Sequence, residues 1–101
     1  MSQALSRTYI EITSVPPGGA PEEIRKEWIG LTLRVDHRNE NQLADVVTGR
    51  KVNRLGGWAV RWDDAMAALA LKSVQAMEWW IENVIPMDLI FTDDCCEVKT
   101  V

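Results

Sequence analysis

The sequence predicts an α+β domain: an antiparallel sheet, flat or curled toward a small barrel, with a short N-terminal helix and two adjacent helices packed on one side. Three observations predict it. Segments near both ends alternate apolar and polar residues, the period of a half-buried strand. Clusters of Pro and Gly at residues 16–19 and 56–57 punctuate the chain. Between residues 63 and 84 the apolar spacing changes to that of helices, mostly on single stripes suited to packing against a sheet.

Residues 1–7 read as a frayed leader. Residues 8–15 place Ile10 and Ile12 between Tyr9, Glu11 and Thr13, a strand that Pro16-Pro17-Gly18-Gly19 ends. Pro21 followed by Glu22 and Glu23 opens a short helix, because proline suits the first helical position and acids favour the positive end of the helix. Ile24 and Trp28, four apart, share its inner face, and Gly30 is placed to stop it. Leu31, Leu33 and Val35 then alternate with polar residues as a second strand. Residues 36–42 are polar and turn-like, residues 44–48 read as a third strand, and a short segment follows near Val52.

Beyond a turn or bulge at Gly56-Gly57, Trp58, Val60 and Trp62 line one side of a further strand. Asp63 or Asp64 caps a helix running to about Lys72, and Ser73 caps a second over residues 74–84, ended before Pro86. Residues 89–92 and 96–100 read as closing strands around an Asp93-Asp94 turn.

One stretch is familiar. Ile12 to Pro21, continued through Ile24-Arg25, Trp28, Gly30-Leu31 and Leu33, resembles an N-terminal signature of small bacterial proteins: a PPG-x-AP turn, an R-x-x-W-x-G helix and an L-x-L strand. The Gly-Gly-Trp and Trp-Asp-Asp region near residue 56 fits the same resemblance. Chains of this kind are also similar to products of mobile gene cassettes in bacterial integrons. The resemblance covers about a third of the chain and implies no activity.

Composition bounds the function. A chain of 101 residues is one domain, spanning 1–101, with 47% hydrophobic and 26% charged residues. A domain of that size buries roughly 65% of the surface its unfolded chain exposes. No run approaches the ~18 apolar residues of a membrane span. The first residues lack the pattern of an export signal, so the expected location is the cytoplasm. The two cysteines, Cys95 and Cys96, are adjacent, which suits neither a secreted disulfide framework nor a zinc knuckle; one is expected in the core and one at the surface. No cofactor is expected, since neither Gly-Gly pair has the spacing of a phosphate cradle.

The net charge of −4 divides unevenly. Six basic residues between Arg34 and Arg61, Arg54 among them, face three acids, while from Trp62 onward eight acids face two lysines. The basic stretch with Trp58 offers charge and a stacking ring, but the acidic balance and absence of a nucleic-acid motif argue against that partner.

Candidate chemistry is sparse. His37, the single histidine, stands in Asp36-His37-Arg38, where an acid can tune an imidazole. The pairs Asp63-Asp64 and Asp93-Asp94 are explained by capping and turn formation. The five tryptophans are more distinctive. At about 100° per residue, Val74, Met77, Trp80, Ile81 and Val84 form one stripe, and Trp79 lies almost opposite. In the preceding helix Ala65, Met66 and Leu69 form the stripe, and Leu71 falls off it.

An exposed large apolar residue marks a contact surface more often than an exposed charge does. The first functional reading is therefore a non-enzymatic binding or accessory protein that meets a second copy or another protein, or holds a small molecule, through a Trp-centred apolar patch or the pocket between sheet and helices, with Trp79, Leu71, Trp58, Arg54, Arg61 and His37 as candidate contacts. The second is a small enzyme or ligand-processing domain in which His37 and nearby acids or arginines line a cleft. The third is an acidic partner that neutralises a basic protein.

Overall fold

A computed structural model describes residues 8–39 and 56–100 of the chain. The first strand, β1 (Thr8–Ile12), has the expected alternation, burying Thr8, Ile10 and Ile12. It stops short of residue 15 because the Thr13 N–H turns away to donate to the Cys95 carbonyl at 2.9 Å. Pro16 is buried at the start of the following loop. Arg25 fixes that loop: its Nε donates to the Ala20 carbonyl at 2.7 Å and its Nη1 to the Pro16 carbonyl at 3.0 Å.

The helix opened by Pro21 is brief. It comprises α1 (Glu22–Arg25) and a 3₁₀ turn, Lys26–Trp28, which carries Trp28 fully into the core. Gly30 has a φ of 91° and donates its N–H to the Ile12 carbonyl at 2.8 Å. A side chain there would meet open space, but the left-handed backbone would cost an L-residue about 1–2 kcal/mol. Arg25, Trp28, Gly30 and the buried Leu33 thus give much of the N-terminal signature an architectural task.

The strands that follow are β2 (Thr32–Arg34), β3 (His37–Asn39) and β4 (Gly57–Val60). The polar stretch beginning at Asp36 is a correction to the expected turn, since residues 37–39 are a strand. A polar sequence suits β3 because, among the described residues, it lies at the edge of its sheet, and the same polarity hides the strand from hydrophobic alternation. Helices α2 (Trp62–Lys72) and α3 (Val74–Asn83) come next, then β5 (Leu89–Thr92), a 3₁₀ turn at Asp93–Cys95 and β6 (Cys96–Thr100).

The fold is α+β, but the single sheet is a second correction. There are two three-stranded antiparallel sheets, ordered β2-β1-β6 and β3-β4-β5, and among the described residues neither closes into a barrel. The chain passes between them at two corners. At the first, Val35 donates to Thr8 at 3.0 Å in one sheet and the next residue, Asp36, donates to Ala59 at 2.7 Å in the other. At the second, the Asp93–Cys95 turn redirects the chain, so β5 pairs with β4 and β6 with β1 rather than with each other. The strand expected at residues 44–48 and the segment near Val52 lie outside the described residues.

Local chemistry decides the helix boundaries. Trp62 does not extend the Trp58–Val60 strand face; it is the first residue of α2, after Arg61 as N-cap. Asp63 and Asp64 do not cap the helix but occupy its first turn, where their charge favours the helix dipole. Ser73 does cap α3, its hydroxyl accepting the Ala76 N–H at 3.1 Å. Ala65, Met66 and Leu69 form the buried stripe of α2, as expected.

Helix α3 is turned from its expected orientation. Its buried residues are Ala76 and Trp80, whereas Val74 and Ile81 are exposed and Trp79 is half-buried against the core. The cause is aromatic packing. Trp80 meets Trp28 edge-to-face at 5.7 Å, Trp28 meets Phe91 at 5.2 Å, and Trp79 meets Trp80 at 5.5 Å. Each such pair contributes about 0.5–1.5 kcal/mol beyond the area it buries. Among the described residues neither the Trp28 nor the Trp80 indole N–H finds an acceptor, so the cluster is held by shape and burial rather than polar bonds.

Candidate functional site

Strand parity and register place the polar candidates. His37 pairs with Ala59, and Ala59 with Ile90, so these three side chains share one face of the β3-β4-β5 sheet. Arg61 lies two residues beyond Ala59 and Asp88 two before Ile90, which continues the same parity at the end of the sheet where β4 finishes and β5 begins. Asp36, at the corner, turns its carboxylate toward the same place: its Oδ2 lies 3.3 Å from His37 Nδ1. One potential ligand atom each from Asp36, His37 and Asp88 lie within 4.8 Å of one another, and this is the group among the described residues that could hold a metal ion.

The electrostatics of Asp88 reflect that crowding. Its carboxyl is raised above the ordinary range by partial burial first, then by its hydrogen bond and charge repulsion with Asp36; His37 and Arg61 pull it the other way. Two carboxylates, one imidazole and one guanidinium therefore meet at the end of the sheet. The sequence signalled Asp36 and His37 as neighbours. Asp88 carried no local signal, because only the register of β4 with β5 brings it across.

The opposite parity carries a structural clamp. Arg38 pairs with Trp58 across β3 and β4, and its guanidinium lies over the indole, 4.6 Å from the ring centroid. The same guanidinium grips Asp93 with both terminal nitrogens, Nη1 to Oδ1 and Nη2 to Oδ2, the latter at 2.7 Å. The hydrogen bond from Arg38 is the main reason the Asp93 carboxyl sits below its ordinary range, aided by charge and by a hydrogen bond from Trp58. A β-carbon at Gly56 would collide with this guanidinium. Trp58 is thus half-buried in an interaction within the chain, and Asp93 serves the corner. Asp94 accepts from the Thr92 hydroxyl at 2.5 Å.

The cysteines depart from expectation: both are buried and both are free thiols. They lie at the corner, where each donates to the Thr92 carbonyl. The Cys96 thiol is pushed far above the ordinary thiol range by its hydrogen bond with Cys95 and then by burial, leaving it protonated and a poor nucleophile.

Two apolar surfaces stand out among the described residues. Leu71 is 91% exposed and borders a groove of about 530 Å³ with Ile29, Gly30, Leu31, Ala68 and Lys72. The Lys72 ammonium donates to the Ile29 carbonyl there. Separately, Val74 (53% exposed), Ile81 (54%) and Ile85 (78%) follow one line along α3 and its exit, flanked by half-buried Met77 and Val84. Of the expected inward stripe, Trp80 is buried and Met77 and Val84 are half-buried against the core, whereas Val74 and Ile81 are exposed. Arg61 is exposed, and Arg54 lies outside the described residues.

Comparison with protein-family models, curated proteins and solved structures finds no match to this chain. Among the described residues, no helix is long and apolar enough to cross a membrane.

Proposed function

We propose that this chain is a non-enzymatic binding protein that associates with a second copy of itself through α3. The supporting observation is that α3 turns Val74 and Ile81 to the outside, with Met77 and Val84 beside them half-buried against the core. Val74, Met77, Ile81 and Val84 are spaced three, four and three residues apart, the a and d positions of a heptad, with β-branched residues at both a positions. Such a seam is complementary to another helix carrying the same spacing, and α3 of a second copy supplies one. The helix has 10 residues, about one and a half heptads, and Val84 follows it as the extended C-cap, so the contact is one of modest size. The bacterial family expected from the N-terminal signature belongs to this proposal and adds no activity to it.

The test is mass in solution, measured by light scattering over a wide concentration range. Wild type is expected to pass from single-chain to double-chain mass, and Ile81→Asp to remain single. A wild type of single-chain mass throughout overturns self-association. Ile81 is a better target than Trp79, because the Trp79 ring packs on Trp80 and its removal would disturb the core.

A further inference from the structure

We propose that Asp36, His37 and Asp88 bind a divalent first-row transition-metal ion at the end of the β3-β4-β5 sheet. The arrangement is more than a patch of acids. It combines an imidazole nitrogen with two carboxylates, a donor set suited to zinc-like ions rather than the all-oxygen preference of calcium or magnesium. The three side chains come from the corner, from β3 and from the residue just before β5, so they converge through the fold rather than through sequence adjacency alone. Ala59 pairs with His37 on one side and Ile90 on the other, and its methyl is fully buried on the face the three share.

The ligand atoms lie within 4.8 Å of one another, and closing them onto an ion at ~2.0–2.2 Å takes small rotations of exposed or half-buried side chains. The ion would replace repulsion between the carboxylates with shared coordination. Three protein ligands leave further positions open to water or to a small anionic ligand. Arg61 opposes the site: its positive charge acts on Asp88 and competes with a cation for that carboxylate. Arg61 lies outside the donor set, so its removal provides a test that a purely structural role of Asp88 would not predict.

The experiment uses the full chain without an affinity tag, titrated with Zn²⁺ and separately with Mg²⁺. Because His37 is the only histidine, its ring nitrogens give an unambiguous NMR signal. Zinc is expected to shift that signal with one-to-one stoichiometry, with magnesium far weaker. Asp88→Asn and His37→Gln, each checked for folding by circular dichroism, are expected to lose at least about tenfold in zinc affinity. Arg61→Ala is expected to bind zinc more tightly. The proposal is overturned if zinc leaves the His37 signal unmoved, or if folded Asp88→Asn and His37→Gln bind zinc as wild type does.

Discussion

Arg38 occupies a point at which three separate interactions meet: a strand pair, an aromatic face and a carboxylate. Exposed ion pairs are worth little on average because water screens them and long side chains resist being fixed. Here the guanidinium is already oriented by Trp58, and both its terminal nitrogens reach Asp93. The Asp93 carboxyl has a lowered pKa in the folded chain, chiefly through its hydrogen bond from Arg38, so folding favours its ionised form. The corresponding stability is complete above the unfolded value of about 4 and is lost as pH falls through the lower folded value. Asp93→Asn abolishes that dependence. The gap in thermal midpoint between wild type and Asp93→Asn is therefore expected to narrow from about pH 5 to about pH 3. A gap that stays constant across this range would mean that the clamp does not depend on the charge of Asp93.

At the scale of the element, α3 demonstrates what periodicity can and cannot specify. Its apolar residues cover so wide an arc that several rotations bury a comparable amount of side chain. Trp80 lies at one margin of the expected stripe, and edge-to-face packing on Trp28 draws that margin to the centre. Trp28 comes from a segment about fifty residues away, so no local pattern carries the choice. The consequence is a sharp contrast between adjacent positions. Trp80→Ala is expected to destabilise the chain by about 3–5 kcal/mol, as for a large aromatic removed from a core. Ile81→Ala, measured at concentrations where the chain is single, is expected to stay within about 0.5 kcal/mol of wild type. Denaturant unfolding of the two variants measures this, and equal losses would restore the inward orientation of the whole stripe.

Other elements were legible for identifiable reasons. The Ser73 cap, the buried stripe of α2 and the exposure of Leu71 follow from local geometry, and all three are present. Strand β3 was concealed because an edge strand need not alternate in hydrophobicity. Without it the parity that aligns His37 with Ala59 and Ile90 was out of reach, and with it Asp88. The burial of both Cys95 and Cys96 was hidden for a related reason. Alternation holds along a strand, but the chain at these two residues is leaving a 3₁₀ turn.

Across the whole molecule, the two corners govern how the sheets are related. Sequence neighbours β2 and β3, and likewise β5 and β6, belong to different sheets, so each sheet is assembled from distant parts of the chain. In the first sheet, β1 lies centrally between β2 and β6, and Thr8 stands directly opposite Thr100. Whatever polypeptide is joined before Thr8 and after Thr100 leaves from one point on the molecule. A load drawn through those two attachments would not shear the β1–β6 ladder as a unit. It would open the ladder from the Thr8–Thr100 end, one rung after another, toward Ile12 and Cys96. The chain is thus expected to yield at low force in an optical-trap measurement pulled from residues 8 and 100, and to resist more strongly when pulled from residues 12 and 100, where the same rungs must break together. As a link in a longer polypeptide, it would be a joint that peels.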